Sequence, residues 1–197
     1  MPFGIFIVLF GYLLGSVPFG LILTKLFSQV DPRKKGSGNI GATNVFRTAG
    51  RTLGILTLFC DLLKGILPIW IATQWNLSDY WIAAAGLGPF LGHLFPIFLG
   101  FKGGKGVATA LGVYLVISPV AVGIELLLFV LLIWRWRFVS LGSICCAMTM
   151  PILIAFFRSN SRAYFILSVI IGFLILFRHQ PNITRLLQGT ENKWKAK

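Results

Sequence analysis

Long apolar segments alternate with short polar segments along the whole chain. Runs of apolar residues occupy about positions 3–27, 52–74, 80–99, 106–118, 120–134, 138–157 and 163–177. A helix needs roughly 20 apolar residues to cross a hydrocarbon core of about 30 Å, and no run alternates with the period of a strand. The pattern predicts an all-α integral membrane protein, a bundle of seven transmembrane helices forming a single membrane-embedded domain over residues 1–197.

The fourth and fifth apolar runs can be read in two ways. The fourth run stops at Ser118 and Pro119, and proline does not continue a helix that precedes it. We therefore interpret 106–134 as a tight helical hairpin of two short spans. The alternative is one long tilted span, which leaves six spans and moves the C-terminus to the other side of the membrane.

The distribution of Lys and Arg between the two sides of the membrane distinguishes seven spans from six. The chain has 18 Lys and Arg residues, 5 Asp and Glu residues and a net charge of +13. Seven spans place Arg158 and Arg162 on one side and Lys64 inside a span. The other side then receives Lys25, Arg33, Lys34, Lys35, Arg47, Arg51, Lys102, Lys105, Arg135, Arg137, Arg178, Arg185, Lys193, Lys195 and Lys197. Because Lys and Arg are in excess in cytoplasmic loops, we expect this side and the C-terminus in the cytoplasm and the N-terminus outside. Six spans would destroy the asymmetry.

Composition narrows the class of protein further. Hydrophobic residues make up 56% of the chain and charged residues 12%, which is too apolar for an ordinary water-soluble surface. The cations mark the ends of apolar runs instead of one soluble face, so we expect no nucleic-acid partner. The first run lacks the basic start of a signal peptide, and we expect it to be retained as the first helix. The sequence has no Cys/His metal spacing and predicts no metal site.

The polar segment GFKGGKGVAT, before the fourth run, is suited to holding an anion. Gly103, Gly104 and Gly106 allow backbone N–H groups to come close to a ligand. Lys102 and Lys105 add positive charge, and the N-terminus of the following helix favours a phosphate. The spacing is not that of a Walker A loop. The alternative is a flexible interfacial turn whose lysines only follow the topology.

The segment GSGNIGATN offers the same function with different groups. Its glycines permit close approach of the backbone, and Arg47, just after it, can bind a phosphate with two hydrogen bonds. Its candidate binding residues are Ser37, Gly38, Asn39, Thr43 and Asn44. The alternative is an ordinary loop with a helix cap at Thr43 or Asn44.

Few other side chains could do chemistry. The loops on the basic side contain only Asp31 and Glu191 as carboxylates, which argues against paired-carboxylate catalysis. No histidine is followed by aspartate at the spacing of a His-x4-Asp acyltransferase. We interpret His93 as a packing or hydrogen-bonding residue, whereas His179 could bind a phosphate, orient a hydroxyl or only anchor the helix end.

The apolar runs also contain charged residues. Asp61 and Lys64 lie three residues apart and can pair on one helix face. Glu125 has no obvious partner in the sequence and receives no role. Group transfer between two phosphorylated ligands, or between one and a lipid, needs mainly positioning and stabilisation of developing charge. A transporter of an anionic metabolite and a scaffold that binds acidic lipids are the alternatives.

Five motifs in order resemble those of one family, the PlsY membrane glycerol-3-phosphate acyltransferases that use acyl-phosphate. They are GSGNIGATNVFR (36–47), DLLKG (61–65), GHLFPIFLGFKGGKGVAT (92–109), RFVSLGS (137–143) and RHQPNITRLLQGTE (178–191). The resemblance implies transfer of a fatty acyl group to the 1-hydroxyl of glycerol 3-phosphate, giving lysophosphatidic acid and phosphate, the first step of bacterial phospholipid synthesis. It implies a seven-helix protein of the bacterial inner membrane with a cytoplasmic active site and no metal or cofactor. We expect contact with membrane lipid and a monomer.

The resemblance also implies roles for individual residues. Catalytic roles fall to Ser37, Lys105, Ser143, His179 and Asn182. Substrate-binding roles fall to Gly38, Asn39, Thr43, Asn44, Arg47, Lys102, Gly103, Gly104, Gly106, Ser140, Arg185 and Glu191. We expect Lys105 and the glycine-rich backbone to hold the leaving phosphate, and Arg47 and His179 to hold glycerol 3-phosphate. Either a substrate phosphate oxygen or His179 accepts the hydroxyl proton.

Overall fold

The regular structure in residues 2–194, which the computed structural model describes, is helical. Lys195 and Lys197 of the basic tail therefore lie outside the described residues. The helices are α1 (Pro2–Ser16), α2 (Phe19–Phe27), α3 (Ala42–Ala49), α4 (Arg51–Gln74), α5 (Asp79–Leu94), α6 (Val107–Ile117), α7 (Pro119–Trp136), α8 (Val139–Phe157), α9 (Arg162–Arg178) and α10 (Gln180–Leu187), with a short 3-10 helix at Ile97–Leu99. The chain divides into two compact units, Met1–Val116 and Ile117–Lys197.

The helices are long and apolar enough for a membrane protein. Five segments of the described chain can span a bilayer, and a sixth is possible if α9 and α10, bent by 58°, count as one span. The remaining apolar helix, α6, has 11 residues, fewer than a straight span needs. Large apolar side chains such as Trp134 and Phe156 are 78% and 76% exposed, as expected for surfaces that face lipid. The prediction of an integral membrane protein is confirmed; seven spans and the orientation of the termini stay predictions.

Several helix boundaries differ from those expected. The first apolar run is interrupted between Ser16 and Phe19, because Pro18 lacks the N–H that a continuing helix requires. The helix cap expected at Thr43 or Asn44 is instead Gly41, which makes no side-chain capping bond. Short α3 and α10 were not predicted, since neither has a long apolar run. Ser118, with non-helical backbone angles of φ −151° and ψ 83°, separates α6 from α7, as the sequence indicated.

In the first unit, glycines let the helices pack at backbone distance. A Cβ on Gly15 would overlap the backbone of Pro89, and one on Gly92 would overlap the carbonyl oxygen of Tyr12, so α1 and α5 pack closely. Gly65 packs against the carbonyl of Thr109 in the same way, which brings α4 against α6. Close glycine contacts of this kind are common between membrane helices, because backbones gain van der Waals contact where side chains are small.

In the second unit, α7 and α8 are joined by a buried polar contact. Thr149 Oγ1 donates a hydrogen bond to Glu125 Oε1 at 2.7 Å, and Glu125 is 4% exposed. The partner that the sequence did not reveal therefore comes from the next helix along the chain. Gly172 of α9 packs against the carbonyl of Ala147 in α8, which completes the packing of the three long helices.

Candidate active site

The loop before α3 is folded around the side chain of Asn44. Its Nδ2 donates to the carbonyl oxygens of Pro32, Lys35 and Asn39 at 2.8, 3.1 and 2.8 Å, and its Oδ1 accepts from the N–H of Ser37 at 2.8 Å. The residue is 2% exposed. Both ends of the amide are thus used to close the loop, which makes Asn44 a structural hub; its expected substrate-binding role stays a prediction.

Glycine is required where the loop passes this hub. Gly36 has φ +63°, and a Cβ there would overlap Asn44 Oδ1. A side chain would therefore be strained both by the backbone conformation and by the contact. The glycine pattern of the motif is explained here by the fold of the loop.

Other candidate residues of this segment remain on its surface. Ser37, Gly38 and Arg47 are exposed and Thr43 is half-buried. Asn39 is also half-buried, and its Oδ1 accepts from the N–H of Gly41 at 2.8 Å. The loop therefore presents a guanidinium and hydroxyl groups on a frame that the Asn44 amide holds.

The glycine-rich loop before α6 uses its backbone differently from what we expected. The N–H of Gly103 donates to the carbonyl of Leu94 at 3.2 Å, and the N–H of Gly104 donates to the carbonyl of His93 at 3.1 Å. These two N–H groups hold the loop on the end of α5, and the role of Gly103 and Gly104 in binding a phosphate stays a prediction. Lys102 is exposed and Lys105 half-buried.

The first turn of α6 offers further backbone N–H donors for an anion. The N–H of Ala110 donates to the carbonyl of Gly106 at 2.8 Å, so the helix begins directly after Gly106, which has φ +79°. The first N–H groups of a helix have no partner within it and favour an anion. An anion site here would use the helix start and Lys105.

In the second unit, a cluster of polar side chains surrounds Glu191. Its Oε1 accepts from Ser140 Oγ at 2.9 Å and Asn182 Nδ2 at 2.7 Å, and its Oε2 accepts from Arg185 Nε at 2.7 Å. Burial would raise the pKa of Glu191, but the three hydrogen bonds to its carboxylate outweigh that effect and hold the pKa below its ordinary value. Glu191 thus organises α8, α10 and the tail, and its expected role in binding substrate stays a prediction.

His179, between α9 and α10, has one ring nitrogen engaged by the backbone. Its Nδ1 lies 2.8 Å from the carbonyl oxygen of Ile175, and the residue is 2% exposed. Because a carbonyl only accepts, Nδ1 carries the proton in that bond, which leaves Nε2 as the basic nitrogen of the neutral ring. The geometry is compatible with a role as base.

The remaining candidate, Ser143, is buried in the second turn of α8. Its Oγ donates to the carbonyl of Val139 at 3.0 Å, so its hydroxyl oxygen can still accept a bond. No group of three or more His, Cys, Asp or Glu side chains within residues 2–194 could hold a metal ion. The described side chains thus offer anion recognition by cations, hydroxyls and amides.

Comparison with known proteins agrees with the motifs and the fold. The family model described as glycerol-3-phosphate acyltransferase matches residues 5–189. The chain is 50% identical over 190 residues to a glycerol-3-phosphate acyltransferase of Syntrophotalea carbinolica, covering 96% of each chain, and 51% identical over 196 residues to that of Trichlorobacter lovleyi, covering 100% of each.

Two solved structures show the same fold. Both are crystal structures of PlsY, an integral membrane glycerol 3-phosphate acyltransferase. The glycerol 3-phosphate form has TM-score 0.92 and 42% identity, covering 98% of this chain and 96% of that one. The lysophosphatidic acid form has TM-score 0.89 and 41% identity, covering 98% and 95%. The chain therefore belongs to the glycerol-3-phosphate acyltransferase family.

Proposed function

We propose that the protein transfers a fatty acyl group from acyl-phosphate to the 1-hydroxyl of glycerol 3-phosphate. The hydroxyl oxygen attacks the acyl carbon, a C–O ester bond forms, and the bond between that carbon and the phosphate oxygen breaks. The products are lysophosphatidic acid and inorganic phosphate. The single observation that carries this proposal is the family membership, with PlsY crystallised both in a glycerol 3-phosphate form and in a lysophosphatidic acid form.

The leaving phosphate is held at the start of α6. Lys105 supplies positive charge, and the first N–H groups of the helix supply donors, since the N–H groups of Gly103 and Gly104 bind carbonyls. A donor that already carries a good leaving group needs mainly stabilisation of the charge that develops on the departing phosphate. Lys102, which is exposed, adds to the positive field around it.

Arg47 of the first unit binds the phosphate of glycerol 3-phosphate. The exposed Arg47 guanidinium can bind a phosphate with two parallel hydrogen bonds. Arg185 donates its Nε–H to Glu191, and its guanidinium has further N–H donors. Ser37 and Thr43 in the first unit, and separately Ser143 and Asn182 in the second, supply polar groups that can bind a substrate hydroxyl or carbonyl.

The hydroxyl proton has two candidate acceptors. One is His179 Nε2, which is the basic nitrogen when Nδ1–H bonds to Ile175. The other is a phosphate oxygen of a substrate. The substitution His179→Gln distinguishes them: kcat near the wild-type value at saturating substrate excludes histidine as the obligatory base, whereas a fall of about 100-fold or more supports it.

The protein acts as a multi-pass protein of the bacterial inner membrane. We propose seven spans within one membrane-embedded domain, with the N-terminus outside and the basic segments, including residues 36–47, 102–106 and 178–191, on the cytoplasmic side. This proposal rests on the uneven distribution of Lys and Arg. The protein works as a monomer in contact with lipid, without a metal or cofactor.

A donor comparison tests the proposed reaction. Purified protein in detergent receives glycerol 3-phosphate with palmitoyl phosphate, or with palmitoyl-CoA, and the products are measured. We expect lysophosphatidic acid and phosphate in equal amounts from the first donor and no product from the second. Lys105→Ala serves as the impaired control. Product formed only from the thioester donor would refute the proposal.

A further inference from the structure

A buried charged cluster lies inside the first unit, within the membrane-spanning helices. Lys64 Nζ is 2.9 Å from Asp61 Oδ1 on α4, and His93 Nδ1, near the end of α5, is 3.6 Å from the same oxygen. Asp61 and Lys64 are each 2% exposed and His93 is 5% exposed. Lys64 also donates to the carbonyl of Val17 at 3.2 Å. The three side chains therefore cross-link α4, α5 and the break after α1.

The cluster touches the glycine-rich loop through the imidazole. A Cβ on Gly104 would overlap Nε2 of His93, so the ring lies directly against the backbone of the loop. The carbonyl of His93 also accepts the N–H of Gly104 at 3.1 Å. The backbone and the side chain of one residue thus both contact the residue that precedes Lys105.

Burying such a charged cluster inside a membrane costs free energy. Charged groups there are rare and commonly mark functional sites, and a buried ion pair is often no more stabilising than apolar residues of the same size. The same motif also packs α4 on α6 at backbone distance, with Gly65 against the carbonyl of Thr109 and the carbonyl of Leu62 against Gly112. Stability alone therefore gives little reason for this sequence to keep three titratable side chains at this place.

We propose that Asp61, Lys64 and His93 are positioning residues for acyl transfer. The ion pair fixes the imidazole of His93, and the imidazole fixes residues 102–106 in the conformation that presents Lys105 and the start of α6 to the leaving phosphate. This inference rests on the proposed function, because it assigns the cluster to the phosphate site of that reaction.

Removal of both charges together tests the cluster without leaving an unpaired buried charge. The double variant Asp61→Asn/Lys64→Met is compared with wild type in thermal unfolding, in hydrogen exchange of residues 102–106, and in KM and kcat for palmitoyl phosphate. We expect a similar unfolding temperature, faster exchange in the loop, and KM raised about tenfold or more with a smaller change in kcat. Unchanged exchange and unchanged KM in the folded variant would overturn the proposal.

A matched control removes a buried polar contact of the second unit. Glu125→Gln/Thr149→Val changes this intramembrane pair, and we expect no change in loop exchange or KM. An equal effect from this control would show a general loss of stability and contradict the proposal. The exchange measurement needs no substrate, so it gives an answer even if the wild-type protein fails to use acyl-phosphate.

A second pair of variants tests the contact directly, should the double variant fail to fold. Gly104→Ala introduces a Cβ that overlaps the imidazole, and His93→Ala removes the ring, so the combination should unfold at a higher temperature than Gly104→Ala alone. Gly103→Ala is the control, because its Cβ would meet backbone atoms of His93 and Leu94 and gains nothing when the ring is removed. Rescue of both glycine variants, or of neither, would count against the proposal.

Discussion

Each unit holds a polar segment in a fixed shape beside apolar helices by hydrogen bonds to one buried side chain, here called the hub. The two hubs differ in chemistry. In the first unit the hub is the neutral amide of Asn44, which serves three carbonyls and one N–H. In the second it is the carboxylate of Glu191, which accepts from three side chains.

The difference follows from what surrounds each hub. The loop before α3 leaves backbone carbonyls to be satisfied, so it needs a side chain that donates and accepts. The C-terminal cluster offers donors, one of them the Arg185 guanidinium, and therefore suits a carboxylate. A neutral hub keeps its bonds at any ordinary pH, whereas a carboxylate hub depends on staying ionised. The comparison also separates residues that hold the frame from residues left to bind substrate.

The largest effect is expected from Asn44→Asp. The change replaces an N–H donor by a carboxylate oxygen facing three carbonyls, and each buried polar group left without a partner costs about 1–3 kcal/mol. We expect a loss of about 3 kcal/mol or more in the free energy of unfolding and almost complete loss of activity. Thermal unfolding and an acyltransferase assay measure both.

Asn39→Asp is the matched control for that substitution. Asn39 contributes an acceptor to the N–H of Gly41, and aspartate keeps this acceptor. The variant should be close to wild type in stability. Equal destabilisation by the two substitutions would show that negative charge in the loop, and not the lost donor, causes the effect.

A smaller loss is expected from Glu191→Gln. Glutamine keeps an acceptor oxygen but removes the charge that strengthens the bonds from Arg185 and Asn182. Hydrogen bonds to charged groups contribute about 1.5–3 kcal/mol, and solvent around the 34% exposed Arg185 side chain weakens its share. We expect about 1–2 kcal/mol less stability, measured by thermal unfolding at neutral pH. No loss would mean that the charge of Glu191 does not hold the cluster.

Acid should weaken the second hub and leave the first intact. Because the pKa of Glu191 is lowered in the folded protein, its contribution is complete above the ordinary carboxyl pKa, about 4.3, and is lost as the pH falls through the lower folded value. Hydrogen exchange of the 182–191 segment, taken relative to the intrinsic exchange rate at each pH, should therefore rise in this acidic range in wild type. The increase should be smaller in Glu191→Gln. Equal increases in the two proteins would contradict the assignment of this acid sensitivity to the Glu191 carboxylate.

The smallest effect is expected from Asp31→Asn. The side-chain hydrogen bond from Arg33, followed by one from its backbone, lowers the pKa of Asp31 to about 2. The Arg33 side chain, however, is 51% exposed, and exposed ion pairs contribute less than about 1 kcal/mol. The unfolding temperature should change little at neutral pH. A loss comparable with that of Asn44→Asp would mean that the salt bridge, and not the amide, holds this loop.

The sequence was sufficient for the long helices because a bilayer imposes a long apolar run on each span. It was not sufficient for α3 and α10, whose short amphipathic patterns resemble ordinary loops. The motifs located the polar segments but could not distinguish a hub from a ligand, because Asn39 and Asn44 look alike until the loop closes. The partner of Glu125 and the contact between His93 and Gly104 depend on the packing of separate helices and of the loop, which local pattern does not encode.

The reaction itself is tested most directly by the fate of the bridging oxygen in the donor. The donor is palmitoyl phosphate labelled with ¹⁸O at the oxygen between the acyl carbon and phosphorus, and the acceptor is unlabelled glycerol 3-phosphate. The masses of the products are measured by mass spectrometry. Attack at the acyl carbon predicts that the label leaves entirely in inorganic phosphate and that lysophosphatidic acid carries none. Label retained in free fatty acid, with the phosphoryl group transferred to the glycerol, would contradict acyl transfer.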